Sequence, residues 1–136
     1  MTKILLAVSD QWTADQRVDA IARWAGRMDA DLLAVNVIFA AEGAPNGKAP
    51  GEEILERVGQ RLKAVYPRVD TLLLFSDDIA DALLKTAAEH QATLIVLGLS
   101  NKGVLARIIE GNLPQELIRN CKLPVLLLPP DWTGEI

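Results

Sequence analysis

Short apolar runs alternate along this chain with longer segments in which apolar residues recur every three or four positions. Most of the runs are continuously apolar, as expected for strands that helices cover on both faces. Strands that alternate with helices in this way predict an α/β fold built on a parallel sheet. The predicted strands are Lys3–Val8, Asp31–Ile38, Thr71–Phe75, Thr93–Leu97 and Pro124–Leu128.

Four helices are predicted between the strands. In the first, an apolar stripe faces the sheet, and Arg17 is expected to face water. The second is predicted over Gly51–Tyr66, because Pro67 disfavours helix at the residue before it. The fourth is expected to bury Leu117 and Ile118. Three of the helices have a candidate capping residue with Gln or Asp three positions later: Thr13, Asp78 and Asn112.

Length and composition limit the classes of function. The 136 residues fit one domain over 1–136. The net charge is −4 and the basic residues are scattered, which argues against nucleic acid as a partner. A single cysteine, Cys121, and a single histidine, His90, argue against a disulfide and against a metal site. The apolar start is too short for a signal peptide or a membrane span, so a cytoplasmic location is expected.

The segment after the fourth strand is the main candidate for ligand binding. In an open parallel sheet, ligands bind beyond the carboxyl ends of the strands, where the strand order reverses. Gly98 and Gly103 would let backbone amides approach a phosphate, and Lys102 could add a charge-assisted hydrogen bond. Gly111 and Asn112 stand at the start of the next helix, which favours an anion. The alternative is that the glycines only permit turns.

The same segment resembles the C-terminal signature of the universal stress protein family. The similarity runs over Gly98–Asn112 and Cys121–Pro129, and the opening Ile4–Val8 also fits in order and spacing. This resemblance implies a Rossmann-like open sheet of five parallel strands in the order 3-2-1-4-5, with helices on both faces. It also implies a non-enzymatic stress-response or regulatory module. The candidate nucleotide-binding residues are Ser9, Val37, Gly98, Ser100, Asn101, Lys102, Gly103, Gly111 and Asn112.

The loop departs from the ATP-binding branch of that family. There the loop reads Gly, two residues, Gly, nine residues, Gly and then Ser or Thr. This chain keeps Gly98 and Gly111 but has Asn101 at the second glycine and Asn112 at the hydroxyl position. Asn101 can still adopt a left-handed backbone conformation, yet its side chain would occupy space beside a triphosphate. These changes predict weakened or lost ATP binding.

Other strand ends also depart from the family pattern. Ser9 stands where relatives commonly carry Asp, and Asp77 where they often have Gly. Asp77 and Asp78 would repel phosphates if they faced the cleft; the alternative is that they cap a helix. The candidates for a catalytic base reduce to Asp10 and Asp77, and no catalytic residue is predicted. The alternative function is a genuine ATP- or AMP-binding universal stress protein with slow hydrolysis or phosphotransfer.

Two further hypotheses concern the last strand and the class of domain. The apolar segment Leu123–Leu128 would lie at a sheet edge, which predicts a homodimer through that strand, unless Pro129 and Pro130 protect the edge. An unidentified regulatory protein is another possible partner. A receiver domain fits poorly, because Ser76 stands where its phosphoacceptor would be. Trp12, just after the first strand, is expected at the mouth of the cleft.

Overall fold

Parallel strands and helices alternate along the chain, which the computed structural model describes over residues 1–8, 12, 14–38, 50–98, 115–130, 132 and 134. Residues 115–120 are helical in addition to the labelled elements. The labelled elements are β1 Lys3–Ala7, α1 Asp15–Arg27, β2 Asp31–Ile38, α2 Pro50–Val65, β3 Val69–Phe75, α3 Ile79–Glu89, β4 Leu94–Gly98 and β5 Val125–Leu128.

The strands form one parallel sheet in the order β3-β2-β1-β4-β5 within the described residues. The predicted fold class and strand order are therefore confirmed. The register places Leu5 of β1 opposite Leu33 of β2 and Ile95 of β4. All three side chains are buried, which explains why the central strands read as continuous apolar runs. The strand order reverses at β1 and β4, so their carboxyl ends form the switch point where ligands bind in such folds.

Two apolar cores lie on opposite faces of the sheet. Residues of α1 and α2 cover one face, where Ile4 and Leu6 are fully buried. Residues of α3 and the helical residues 115–120 cover the other face, where Leu5 packs with Leu83 and Leu117. Alternate residues of each strand therefore point to different helices. This alternation decides which side of the switch point each strand-end side chain occupies.

The observed helix starts and ends agree in part with those predicted from the sequence. The N-cap of α1 is Ala14, which has an extended backbone and makes no side-chain cap, so Thr13 is not the capping residue. Alanine carries no acceptor, and Asp15 in the first turn instead complements the helix dipole. Asp78 does cap α3, because its side chain accepts from the Asp81 amide at 3.0 Å. Asn112 lies outside the described residues. The helix α2 ends at Val65, as Pro67 predicts.

Two side chains lie opposite to their predicted positions. Arg17 is buried, because its guanidinium reaches backbone carbonyl groups at the end of β5. Ile118 is largely exposed, whereas Leu117 is fully buried. One residue along a helix turns the side chain by about 100°, so only Leu117 points into the core here.

A bidentate salt bridge joins α1 to α2. Arg61 donates from Nε and Nη2 to the two carboxylate oxygens of Asp19, at 2.8 Å each. This hydrogen bonding lowers the pKa of Asp19 below its ordinary value, against a smaller opposing effect of burial. The pair therefore stabilises the fold while Asp19 is ionised.

The stability that Asp19 contributes should depend on pH. Because its pKa is lowered on folding, its contribution is complete above the unfolded pKa of about 3.9 and is lost as pH falls through the lower folded value. Wild type should melt at a higher temperature than Asp19→Asn at pH 7, and the difference should close below about pH 4. Thermal melts across this pH range test the prediction. The control is Asp70→Asn, a change at an exposed position on β3. A difference in melting temperature that persists at the lowest pH would contradict the role given to the ionised Asp19.

Candidate functional site

The carboxyl ends of β1, β2 and β4 meet at one edge of the sheet. Ala7 pairs with Val35 of β2 and Leu97 of β4, so Val37 and Gly98 lie just beyond it on either side. These two are the predicted site residues that the structure describes. The other predicted residues, Ser9, Ser100, Asn101, Lys102, Gly103, Gly111 and Asn112, lie outside the described residues, and their roles stay predictions.

Val37 is half-buried near the end of β2. It follows Leu33 and Val35 on the face covered by α3 and pairs with Leu74 of the edge strand. An apolar side chain at a strand end can contact the flat face of a base. The α3 side of the edge therefore offers an apolar surface at the switch point.

Gly98 has a role that the sequence does not reveal. A Cβ atom at this position would lie 3.1 Å from two ring carbons of Trp12 and 3.0 Å from Nη2 of Arg17. Both distances are tighter than ordinary van der Waals contact. Glycine at position 98 thus allows an indole ring to pack directly against the backbone of β4, and the phosphate contact predicted for it stays a prediction.

Trp12 is fully buried on the α1 side of this edge, and its predicted place at the mouth of the cleft stays a prediction. Its Nε1–H donates to the carbonyl of Ala7 at 3.2 Å, which fixes the ring across the end of β1. The Arg17 guanidinium lies 4.8 Å from the ring centroid, a cation–π contact. An apolar ring at this depth fills the α1 side of the edge.

Arg17 connects this ring to the last strand. Its Nη2 donates to the carbonyls of Leu128 at 3.1 Å and Pro129 at 2.9 Å. Trp12 and Arg17 together join the ends of β1, β4 and β5, and we call these two residues with Gly98 the strand-end cluster. The sequence carries one signal for the burial of Arg17, because Ile21 and Trp24 follow it at helical spacing on α1.

Asn36 is a second residue that the sequence reasoning missed. It is 4% exposed, and its Nδ2 donates to the carbonyl of Val8 at 2.7 Å. This bond holds the residue that leads into Ser9. The Asn36 Oδ1 has no hydrogen-bond partner among the described residues, and it faces Gly51 in the first turn of α2. A polar amide inside the apolar strand Asp31–Ile38 was the available signal.

The acidic pair after β3 lies away from the switch point. The strand β3 is at the sheet edge, with β2 and β1 between it and β4. The carboxylate of Asp78 accepts from the first turn of α3, so the capping interpretation is confirmed for it, and Asp77 is exposed. His90 is the C-cap of α3, at the other end of the helix. Over the described parts of the chain, no group of three potential metal-ligating side chains comes together.

Comparison with known proteins identifies the family. The sequence model of the universal stress protein family matches residues 1–129. The chain belongs to this family. A search of curated protein sequences gives no match. Membership confirms the resemblance drawn from the glycine-containing loop and the flanking strands.

Several solved universal stress proteins share this fold. One, solved in complex with cAMP, has a TM-score of 0.70 at 23% identity, covering 96% of this chain and 98% of its own. Another, from Archaeoglobus fulgidus in complex with dAMP, has a TM-score of 0.67 at 20% identity, covering 93% and 97%. A third, from Burkholderia pseudomallei, has a TM-score of 0.66 at 25% identity, covering 94% and 96%.

The last residues of this universal stress protein lie outside the family pattern. The family match ends at residue 129, one residue after β5, so residues 130–136 are not part of it. Among the helices that the structure describes, none is both long and apolar enough to span a bilayer.

Proposed function

We propose that this universal stress protein is a non-enzymatic regulatory module of the stress response that binds an adenosine monophosphate in preference to ATP. The observation that carries the proposal is a difference between the two ends of the site. The adenosine end keeps an apolar residue, Val37, at the switch point, whereas the triphosphate loop has lost two of its family markers. A cytoplasmic location is part of the same proposal.

Two observations support binding of the adenosine part of the ligand: the position of Val37, and the ligands of solved relatives. Val37 lies on the α3 side of the edge, and the Trp12 ring fills the α1 side. A base would therefore be directed towards the α3 side. Solved relatives of the same fold carry cAMP or dAMP, ligands with one phosphate.

The loop that would hold the triphosphate argues against tight binding of ATP. A backbone cradle for several phosphates needs glycine where the chain approaches the ligand closely. Asn101 and Asn112 replace a glycine and a hydroxyl residue of the ATP-binding pattern. A single phosphate makes fewer contacts with this loop, so the two replacements should weaken ATP binding more than AMP binding.

The non-enzymatic part rests on where the titratable groups lie. Of the two candidate bases, Asp77 is exposed after the edge strand β3, with β2 between it and the switch point, and Asp10 lies outside the described residues. His90 caps the far end of α3. Asp77 and His90 therefore do not reach the switch point, which a general base must do. The absence of turnover can be tested by incubating the protein with ATP and measuring phosphate release. Release that persists in Gly98→Val but stops in Asp10→Asn would contradict this part.

Calorimetric titration with cAMP, AMP, ADP and ATP tests the ligand. AMP or cAMP should bind more tightly than ATP, and the double variant N101G/N112S should strengthen ATP binding about tenfold, or about 1.4 kcal/mol. Asn120→Ser, an exposed change after the loop, is the matched control and should alter neither affinity. Wild-type protein that binds ATP more tightly than AMP, or binds no nucleotide at millimolar concentration, would refute the proposal.

We also propose that the protein is a homodimer through β5. The strand pairs with β4 on one side and lies at the sheet edge, and Leu127 on it is 39% exposed. An unpaired apolar edge favours pairing with another chain. Ile118, in the helical residues 115–120, is another largely exposed apolar side chain.

Light scattering at micromolar concentration should give the mass of a dimer for wild type and of a monomer for Leu127→Lys. A lysine on an edge strand disfavours strand pairing between chains. The matched control is Phe75→Lys on the other edge strand, β3, where the side chain is 60% exposed. A monomeric wild type, or a dimer lost equally in the Phe75→Lys variant, would count against β5 as the interface.

A further inference from the structure

A buried amide side chain lies beside the switch point, inside the apolar strand β2. Asn36 is buried, and its neighbours Val35 and Val37 pack in the core on the α3 side of the sheet. Because successive side chains of a strand point to opposite faces, Asn36 points towards the other face, where Gly51 of α2 lies against it. A polar group at such a core position needs a physical explanation.

The Asn36 amide completes the pairing between the ends of β1 and β2. The register pairs Ala7 with Val35, and the Val8 amide then donates to the Val35 carbonyl at 2.8 Å. The Val8 carbonyl in turn accepts from Nδ2 of Asn36 at 2.7 Å. Both main-chain groups of Val8 are therefore bonded to β2, one of them through a side chain. Since Val8 directly precedes Ser9, these bonds fix one end of the segment that contains Ser9.

The bond to Val8 determines which way the Asn36 amide faces. A carbonyl oxygen only accepts hydrogen bonds, so the NH2 group must face Val8 and Oδ1 must face the start of α2. Within the part of the chain that the structure describes, this oxygen accepts no hydrogen bond. A buried acceptor without a partner destabilises a fold, and the positive end of the α2 dipole offsets only part of that effect.

Gly51 makes room for this amide at the start of α2. A Cβ atom at position 51 would lie 2.4 Å from Oδ1 and 3.1 Å from Nδ2 of Asn36, and the first distance is closer than real Cβ contacts allow. Glycine is also the least favourable helix residue after proline. The chain therefore has two destabilising features at one point, a helical glycine and an unpaired amide oxygen, and together they allow the bond to Val8.

We propose that Asn36 is a positioning residue of the nucleotide site, because it holds Val8 against β2. The bond sets the spacing between two predicted site residues, Ser9 after β1 and Val37 on β2. This proposal rests on the proposed function, since it concerns the site where an adenosine monophosphate would bind. The Asn36 side chain points away from the α3 side, so it acts through its neighbours. Binding groups that are out of position lower affinity even when each of them is present.

Replacing Asn36 by Leu removes the bond and keeps the approximate shape of the side chain. Affinity for AMP should fall about tenfold, the effect of one well-placed hydrogen bond, in titrations well below the melting temperature of each variant. The control is Thr86→Val, a change of the same kind at a buried polar residue near the far end of α3, which should leave the affinity unchanged. Equal affinities of wild type and Asn36→Leu, or equal losses in the two variants, would overturn the proposal.

Hydrogen exchange of the Val8 amide, measured by NMR, tests the positioning without any ligand. Once its carbonyl has lost the Asn36 bond, the end of β1 should open more often. Exchange at Val8 should become at least about tenfold faster in Asn36→Leu, relative to exchange at Leu6 within β1. An unchanged ratio of the two exchange rates would overturn the proposal. If wild type binds no nucleotide, the proposed function fails, and exchange at Val8 still decides whether Asn36 holds this strand end.

A second variant, Gly51→Ala, covers the case in which Asn36→Leu fails to fold. Its methyl group should displace the Asn36 amide, and so weaken AMP binding and speed exchange at Val8. In an Asn36→Ala background the same change should have no further effect, because the amide is gone. The matched control is Gly59→Ala, also in α2, where a Cβ atom would lie 2.6 Å from Cγ2 of Thr71 on β3. Equal losses in the two glycine variants, or additive effects at positions 36 and 51, would overturn the proposal.

Discussion

Replacing Trp12 by Ala is expected to lower the free energy of unfolding by about 3–5 kcal/mol, the range for a large aromatic side chain removed from a core. Trp12 is fully buried, bonds to the Ala7 carbonyl and supports the Arg17 guanidinium, so the change leaves a cavity where three strand ends meet. Urea unfolding followed by circular dichroism measures the loss without relying on tryptophan emission. Trp24→Ala, at a half-buried position on α1, is the control and should cost less. Equal losses would show that Trp12 has no special role in the strand-end cluster.

Replacing Gly98 by Ala should cost about 1–3 kcal/mol in the wild-type chain, the range for overpacking a well-filled core. The added methyl group would lie within 3.1 Å of the Trp12 ring, which its bond to Ala7 and its contact with Arg17 hold in place. In a Trp12→Ala background the same change should be neutral or stabilising, because the methyl group enters the space left by the indole. A double-mutant cycle measures this coupling. Additive effects would mean that Gly98 is required for a reason other than the ring.

The gross architecture could be predicted because it depends on local patterns. Apolar runs such as Asp31–Ile38 are buried on both faces, and the structure places them at the centre of a parallel sheet. The strand order came with the family resemblance and is confirmed. The Asp78 cap was predicted for the same reason, since its partner Asp81 lies three residues away.

The strand-end cluster could not be predicted in this way. An arginine beside acidic residues on an amphipathic helix reads as a solvent-facing group, yet Arg17 is buried because its acceptors arrive from the far end of the chain. Asn36 was overlooked because its partner, the carbonyl of Val8, is a backbone group with no sequence signature. Gly98 is compatible with a turn, a phosphate or an aromatic ring, and only the three-dimensional neighbours distinguish these uses.

The bond from Arg17 to Leu128 has a consequence for how the molecule assembles. The two residues are separated by 111 positions, so the contact closes almost the whole chain into a loop. Contacts of such long sequence separation slow folding, because the entropy of closing the loop is lost before the contact forms. During synthesis, α1 leaves the ribosome long before β5, and these carbonyl bonds can form only after β5 has emerged. We therefore expect the strand-end cluster to be the last part of the sheet to become ordered.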